Sequence, residues 1–287
     1  MMGNRTQFDT GVLTFHMTED SLSCIDFPGQ SLDEVSRHLP NGTYTTLRTF
    51  GKHRFLRLDA HLDRLEDSAH LLGKTIRLDR GRLGQALADV LARADFMESR
   101  LRITVPLDTG NPPDVYIAIE PFRGIDPGLY KTGVCTVTML IARTSPRAKT
   151  TGFIVPSRTL KAGLPSDIYE VLMVTASGEI LEGFTSNFFA VIGSRLLTAG
   201  EGVLEGITRS IVLELARELF TVELRAPLLT EIRQFDEAFI TSSSRAILPV
   251  VAINEQVIGR GKPGSLTQLL RQRYSMYVMQ EAKPPSY

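Results

Sequence analysis

Three short stretches hold residue types at spacings that can do chemistry: Ser145-Pro146-Arg147-Ala148-Lys149-Thr150-Thr151, Gly178-Glu179-Ile180-Leu181-Glu182-Gly183-Phe184-Thr185-Ser186-Asn187, and Leu204-Glu205-Gly206-Ile207-Thr208-Arg209. Lys149 offers a primary amine, which attacks an aldehyde once it has lost its proton, and burial shifts a lysine toward that form. Glu182 follows the apolar pair Ile180-Leu181. A carboxylate there reads either as a solvated strand end or as an anion that keeps a ring nitrogen protonated. Gly206 to Arg209 opens an amphipathic helix. Its first-turn N–H groups and the Thr208 hydroxyl suit a phosphate, although the same residues also read as a simple threonine cap.

In order and spacing these stretches resemble the class IV aminotransferases, the fold-type IV pyridoxal-phosphate enzymes. That group includes branched-chain aminotransferases, D-amino-acid aminotransferases and aminodeoxychorismate lyase. The resemblance runs from about Asn41 to Ser265 and is strongest in the second half. It implies that Lys149, at the end of Arg143-x-x-Pro146-x-x-Lys149, is the Schiff-base lysine; the rival Lys161 sits too close to Glu182 in sequence. It further implies that Glu182 pairs with the ring nitrogen of pyridoxal 5'-phosphate and that Asn187 helps hold the site. Gly206, Ile207 and Thr208 would hold the phosphate together with Ser242 and Ser243, which match a second hydroxyl-bearing turn. Arg64, in His61-x-x-Arg64-Leu65, would grip the phosphate bidentately with His61 behind it.

Tyr44 and Arg48 share one face of a strand, and by the resemblance that face looks into the substrate pocket. The reading of a half-buried tyrosine with an arginine at the sheet rim stands beside it. Either Arg48 or Arg245 would hold a substrate carboxylate. The implied reaction moves an amino group from an amino acid or amine to a 2-keto acid such as 2-oxoglutarate or pyruvate, in a cytoplasmic homodimer. An aminodeoxychorismate lyase, or a silent cofactor-binding homologue, is the alternative. Two departures bear on substrate. The loop Pro106-Leu107-Asp108-Thr109-Gly110 lacks the arginine and histidine of D-amino-acid aminotransferases, and Tyr44-Thr45-Thr46 replaces the Phe-Glu-Gly usual in branched-chain aminotransferases. The Thr-Thr pair is nearer to some aminodeoxychorismate lyases.

The elements that must position these residues follow from periodicity. Thr43 to Phe50 has strand composition, and Gly51-Lys52 turns it toward Arg54–Arg57. Leu58, Leu62, Leu65, Ala69 and Leu72 fall on one helical face, with Asp59 as the expected cap and Gly73 as the stop. A second helix is expected over Leu83–Phe96, strands at Arg100–Val105 and Val115–Ile119, and a turn at Gly-Asn-Pro-Pro between them. The second half predicts strands at Val134–Ile141, Tyr169–Thr175, Phe188–Ile192, Arg195–Thr198 and Ala238–Thr241, with helices at Thr208–Phe220 and Pro263–Gln280. Strict βαβ alternation is missing, so the pattern favours α+β over a doubly wound sheet. The expected organisation is a small α/β N-terminal domain (1–124), a linker rich in Gly, Pro and charge (125–131), and a larger C-terminal domain (132–287) with a barrel-like sheet, the last implied by the resemblance.

Bulk properties exclude other classes. The 287 residues include 32 Lys plus Arg and 32 Asp plus Glu, so no basic field argues for nucleic acid or a membrane surface. No run of about 18 apolar residues would span a bilayer. Met1 to Asp20 lacks the apolar core of a signal peptide. Cys24 and Cys135 are expected to be free thiols, and five scattered histidines give no zinc arrangement. Gly259-Arg260-Gly261-Lys262-Pro263-Gly264 lacks the spacing of a phosphate-binding loop.

Overall fold

The computed structural model describes residues 11–285; the reading of Met1 to Asp20 therefore lies partly outside the described residues. The chain forms two compact units. One is built on the chain up to Arg123, with Thr150–Val155 and the end of the chain from Lys283; the other takes Gly124–Lys149 and Pro156–Ala282.

The first unit centres on an antiparallel sheet of six strands: β1 (Leu13–Met17), β2 (Leu22–Ile25), β3 (Gly42–Phe50), β4 (Arg54–Phe55), β5 (Ser99–Pro106) and β6 (Val115–Pro121), in spatial order β2-β1-β6-β5-β3-β4. A short helix, α1 (Leu32–Val35), precedes β3, and α2 (Leu58–His70) and α3 (Arg80–Ala94) follow β4. Leu62 and Leu65 of α2 and Leu83 and Leu87 of α3 share a core with Leu47, Leu101, Ile103 and Ile117 of the sheet. Period-2 alternation places these on one face of the sheet. The cap of α2 differs from expectation. Arg57 occupies that position in the left-handed region (φ 50°) with no side-chain cap bond, and Asp59 falls inside the first turn. There its charge still suits the helix's positive end.

The second unit is a closed barrel. Its strands are β7 (Val134–Leu140), β8 (Ile168–Val174), β9 (Ile180–Gly183), β10 (Ser186–Ile192), β13 (Glu237–Ser242) and β14 (Ala246–Ile253). They pair in the ring β10-β13-β14-β7-β8-β9, and β9 returns to β10. Closure removes the open sheet edges. β11 (Arg195–Leu197) and β12 (Thr221–Glu223) extend the sheet beside β10, and β15 (Gln256–Val257) lies on β14. The helices are α4 (Leu129–Thr132), α5 (Ile154–Ala162, which begins in the first unit), α6 (Ile207–Ala216) and α7 (Ser265–Glu281). Leu172, Val174, Phe188, Ala190, Ile240, Leu248 and Val250 fill one face of the barrel sheet. Among the described residues, no helix is long and apolar enough to cross a membrane, and no cluster of three His, Cys, Asp or Glu could hold a metal. Both cysteines are free.

Candidate active site

The barrel brings Glu182 and Asn187 together because β9 and β10 form a hairpin in which the two are direct cross-strand partners. Glu182 is 2% exposed, so the solvated strand-end reading does not hold. Its carboxylate accepts from Arg143 Nη1 (3.2 Å), Asn187 Nδ2 (3.0 Å) and the Leu204 N–H (3.1 Å). Burial nevertheless raises its pKa to about 6, even though Arg143, the Leu204 N–H and the charge of Lys149 all act to lower it. Arg143 also donates to the Ala148 carbonyl (2.9 Å), so one guanidinium ties the carboxylate to the residue before Lys149. Lys161, the other lysine in this stretch, lies 5.2 Å from the Tyr169 ring; burial lowers its pKa while Glu170 opposes that shift.

The α6 N-terminus joins the same group. Asn187 Nδ2 donates to the Leu204 carbonyl (2.8 Å), and a Cβ on Gly206 would collide with Asn187 Oδ1. Only glycine fits that close approach. Gly206 is itself the cap residue, without a side-chain cap bond, and Ile207 and Thr208 are the first helical residues. Thr208 is therefore not the cap; its side chain is buried in the first turn, where the N–H groups of a helix suit an anion. Two buried polar atoms beside this group find no partner among the described residues: Thr241 Oγ1, on the residue cross-strand to Asn187, and Arg209 Nε. Arg209 feels the charge of Glu182, and its Nη2 donates to the Ala199 carbonyl (2.7 Å). A buried polar atom without a partner calls for an explanation, and a bound polar ligand is one.

Ser242 ends β13 and Ser243 follows in the turn to β14. Arg245, in the same turn, donates from Nε to Ser242 Oγ (2.9 Å), from Nη2 to the Thr185 carbonyl (2.6 Å) and from Nη1 to Glu170 (3.2 Å).

In the first unit, Tyr44 and Arg48 do lie on one face of β3. The Arg102 guanidinium stands 4.8 Å from the Tyr44 ring. Arg48 is engaged by Glu98 (2.6 Å) and stacks over Phe122 at 3.5 Å. Arg64 Nη2 donates to Thr45 Oγ1 (3.0 Å), which also bonds His61 Nδ1 (2.7 Å). Thr150 pairs with Thr43, and the Gly42 N–H donates to Thr151 Oγ1 (3.0 Å).

Sequence reasoning gave no role to Arg143, Thr241 or Glu170. Arg143 stood in a quoted pattern, and Glu170 is the one charged residue in an otherwise apolar strand, a placement that calls for a partner.

Comparison with known proteins identifies the family and the fold. The family model described as "Amino-transferase class IV" matches residues 42–253. A probable branched-chain-amino-acid aminotransferase of Thermotoga maritima is 30% identical over 267 residues, covering 86% of this chain and 92% of that protein. The crystal structure of a putative branched-chain amino acid aminotransferase from Thermotoga maritima superposes with TM-score 0.74 at 27% identity, covering 93% of this chain and 96% of that one. At 22% identity, a T.th. branched-chain amino acid aminotransferase solved with pyridoxamine 5'-phosphate shares the fold, with TM-score 0.79 over 98% of this chain and all of that one (100%). With its barrel, its buried Glu182–Asn187 hairpin and a family match that spans both units, this chain belongs to the class IV aminotransferases.

Proposed function

We propose that the chain moves an amino group from an amino acid or amine to a 2-keto acid, with pyridoxal 5'-phosphate as its cofactor. The observation that supports this best is Glu182: a carboxylate 2% exposed, held by three donors and still pushed up to about 6 by burial. Such a group gains most from a cationic ring nitrogen placed against it. The cofactor, when bound, carries the amino group between substrates and draws negative charge off the substrate carbon through its protonated ring. Glu182 would keep that ring nitrogen protonated. Arg143 and Asn187 fix the carboxylate's orientation, so reorientation costs little during reaction. Lys149 would hold the aldehyde end and would carry the proton of the substrate's Cα, first as base and then as acid. Gly206, Ile207, Thr208, Ser242 and Ser243 would hold the phosphate, and Arg64 is proposed as a further phosphate ligand. Tyr44 contacts substrate, and Arg48 braces its strand through Glu98.

The names of the relatives make leucine, isoleucine and valine the first donors to test. The Tyr44-Thr45-Thr46 text supports the lyase as the second reading; release of pyruvate from an aminodeoxychorismate-type substrate without any keto acid would select it. We further infer a homodimer in a reducing cytoplasm; the exposed free thiol of Cys24 supports the compartment, and sedimentation checks the dimer.

The deciding experiment compares the near-ultraviolet and visible spectra of the wild type and Lys149→Ala, before and after L- and D-amino acids and amines. The expected result is a yellow band in the wild type, altered in the variant and bleached by one donor class. No band after incubation with pyridoxal phosphate would overturn the reading.

A further inference from the structure

Arg245 and Glu170 form a buried ion pair that the transfer chemistry does not itself use. Glu170, on β8, is 0% exposed, while the Arg245 side chain is 12% exposed. The Glu170 carboxylate accepts from Arg245 Nη1 (3.2 Å), Thr185 Oγ1 (2.5 Å), Ser186 Oγ (3.1 Å) and the Val171 N–H (3.2 Å). Arg245 reaches onward to the Thr185 carbonyl (2.6 Å), Thr185 Oγ1 (2.7 Å) and Ser242 Oγ (2.9 Å). Its own carbonyl is held by Tyr130 Oη (2.8 Å). One guanidinium thus joins three segments: β8, the β9–β10 turn lying between Glu182 and Asn187, and the Ser242–Ser243 turn after β13. Gly183 leaves no slack in this arrangement, since a Cβ there would collide with Ser186 Oγ and stand 2.9 Å from Glu170 Cγ.

We propose that Arg245 is a positioning residue rather than a substrate-carboxylate anchor. Paired with Glu170, it fixes the spacing between the hairpin that presents Glu182 and the serine turn that is to hold phosphate. The guanidinium's donors already face protein acceptors on three segments, and withdrawing it for a substrate would leave the Glu170 carboxylate with hydroxyls and one backbone N–H as hydrogen-bond donors and the charge of Lys161 nearby. A buried charge stripped of its counter-ion is strongly disfavoured. This inference rests on the proposed cofactor site only for where the two segments point; the clamp between them is a property of the barrel.

The test uses full-length Arg245→Met, Glu170→Gln and the double variant, which removes both charges and guards against misfolding of a single one. Amide hydrogen exchange is followed in residues 183–187 and 242–246 of the protein stripped of cofactor. Pyridoxal-phosphate affinity and the KM of several keto acids are measured beside it. The expected result for either single variant is faster exchange in both segments together, cofactor affinity weaker by about tenfold, and KM within about twofold for every keto acid at saturating cofactor. The double variant is expected to be no worse than the singles, because the two residues act as one unit. A KM raised tenfold or more by Arg245→Met with unchanged exchange would make Arg245 a carboxylate anchor. A lower thermal midpoint with neither segment loosened would make the pair merely structural. Either outcome overturns the proposal. If the wild type takes up no pyridoxal phosphate, the proposed function fails, while the exchange data still decide the clamp.

Discussion

Arg143–Glu182 in the barrel and Arg48–Glu98 in the first unit are both arginine–carboxylate pairs, and the shorter one is the less consequential. Arg48 and Glu98 meet at 2.6 Å with side chains 18% and 38% exposed; Arg143 and Glu182 meet at 3.2 Å with side chains 10% and 3% exposed. Water around Glu98 screens the first pair, so its contribution is that of a surface bridge, about 0–1 kcal/mol. Around Glu182 that screening is lost, and burial outweighs the arginine and a backbone N–H together. The difference teaches that burial, not bond length, decides which carboxylate still demands a cation. A buried one with unmet demand is a candidate site, and a half-buried one in reach of water reads as a brace.

The comparison breaks most visibly at Lys149. Lys149→Ala is expected to cut turnover by about 10³-fold or more, since it removes the amine proposed to hold the aldehyde and carry the proton; steady-state rates with the best donor check it. Glu182→Gln comes next, with an expected loss of about 10²-fold or more in kcat and weaker cofactor retention. The same variant gives a pH signature. The folded-state pKa of Glu182, about 6, lies above the ordinary 4.5. Its ionisation therefore costs stability, and the cost appears as pH rises from about 4.5 to 6. In cofactor-free protein, the stability of the wild type relative to Glu182→Gln should fall by about 2 kcal/mol across that window. Denaturant unfolding at several pH values measures this, and a rise instead of a fall would mean that Glu182 needs no cation. Gly206→Ala should loosen Asn187 and destabilise the fold by about 1–3 kcal/mol, seen as a lower melting temperature and poorer cofactor retention. Arg48→Met should have the smallest effect: at most about 1 kcal/mol of stability and little change in KM. A tenfold rise in the KM of a keto acid would return Arg48 to the substrate and erase the contrast between the two pairs.

Much of the scaffold is legible in the sequence. The Thr43–Phe50 strand and the leucine stripe of α2 have strong periodicity, the closing helix α7 has Pro263 and Gly264 near its start, and each appears within a few residues of its expected bounds. The helix expected over Thr208–Phe220 ends earlier, at Ala216. β14 is hidden because Pro249 interrupts the apolar run Ala246–Ile253, and proline argues against a central strand. It is central nonetheless: β7 pairs with it only from Val250 onward, so the missing N–H of Pro249 is not needed on that side. α5 is hidden in the same way by Pro156.

What the sequence determined by itself is the order of chemical types along the chain: a lysine, a carboxylate, a glycine-led helix start and a hydroxyl turn, in the order of the class IV aminotransferases. Local rules suffice for this, because each motif is a few residues long. Which of those residues share a water-free space was decided only by barrel closure. The return of β9 to β10 sets Glu182 against Asn187 and buries both, and Leu204, Gly206 and Arg143 complete the enclosure from distant parts of the chain. No local pattern distinguishes a solvated glutamate from one pushed up to about 6. That difference is desolvation, and desolvation belongs to the packed structure alone.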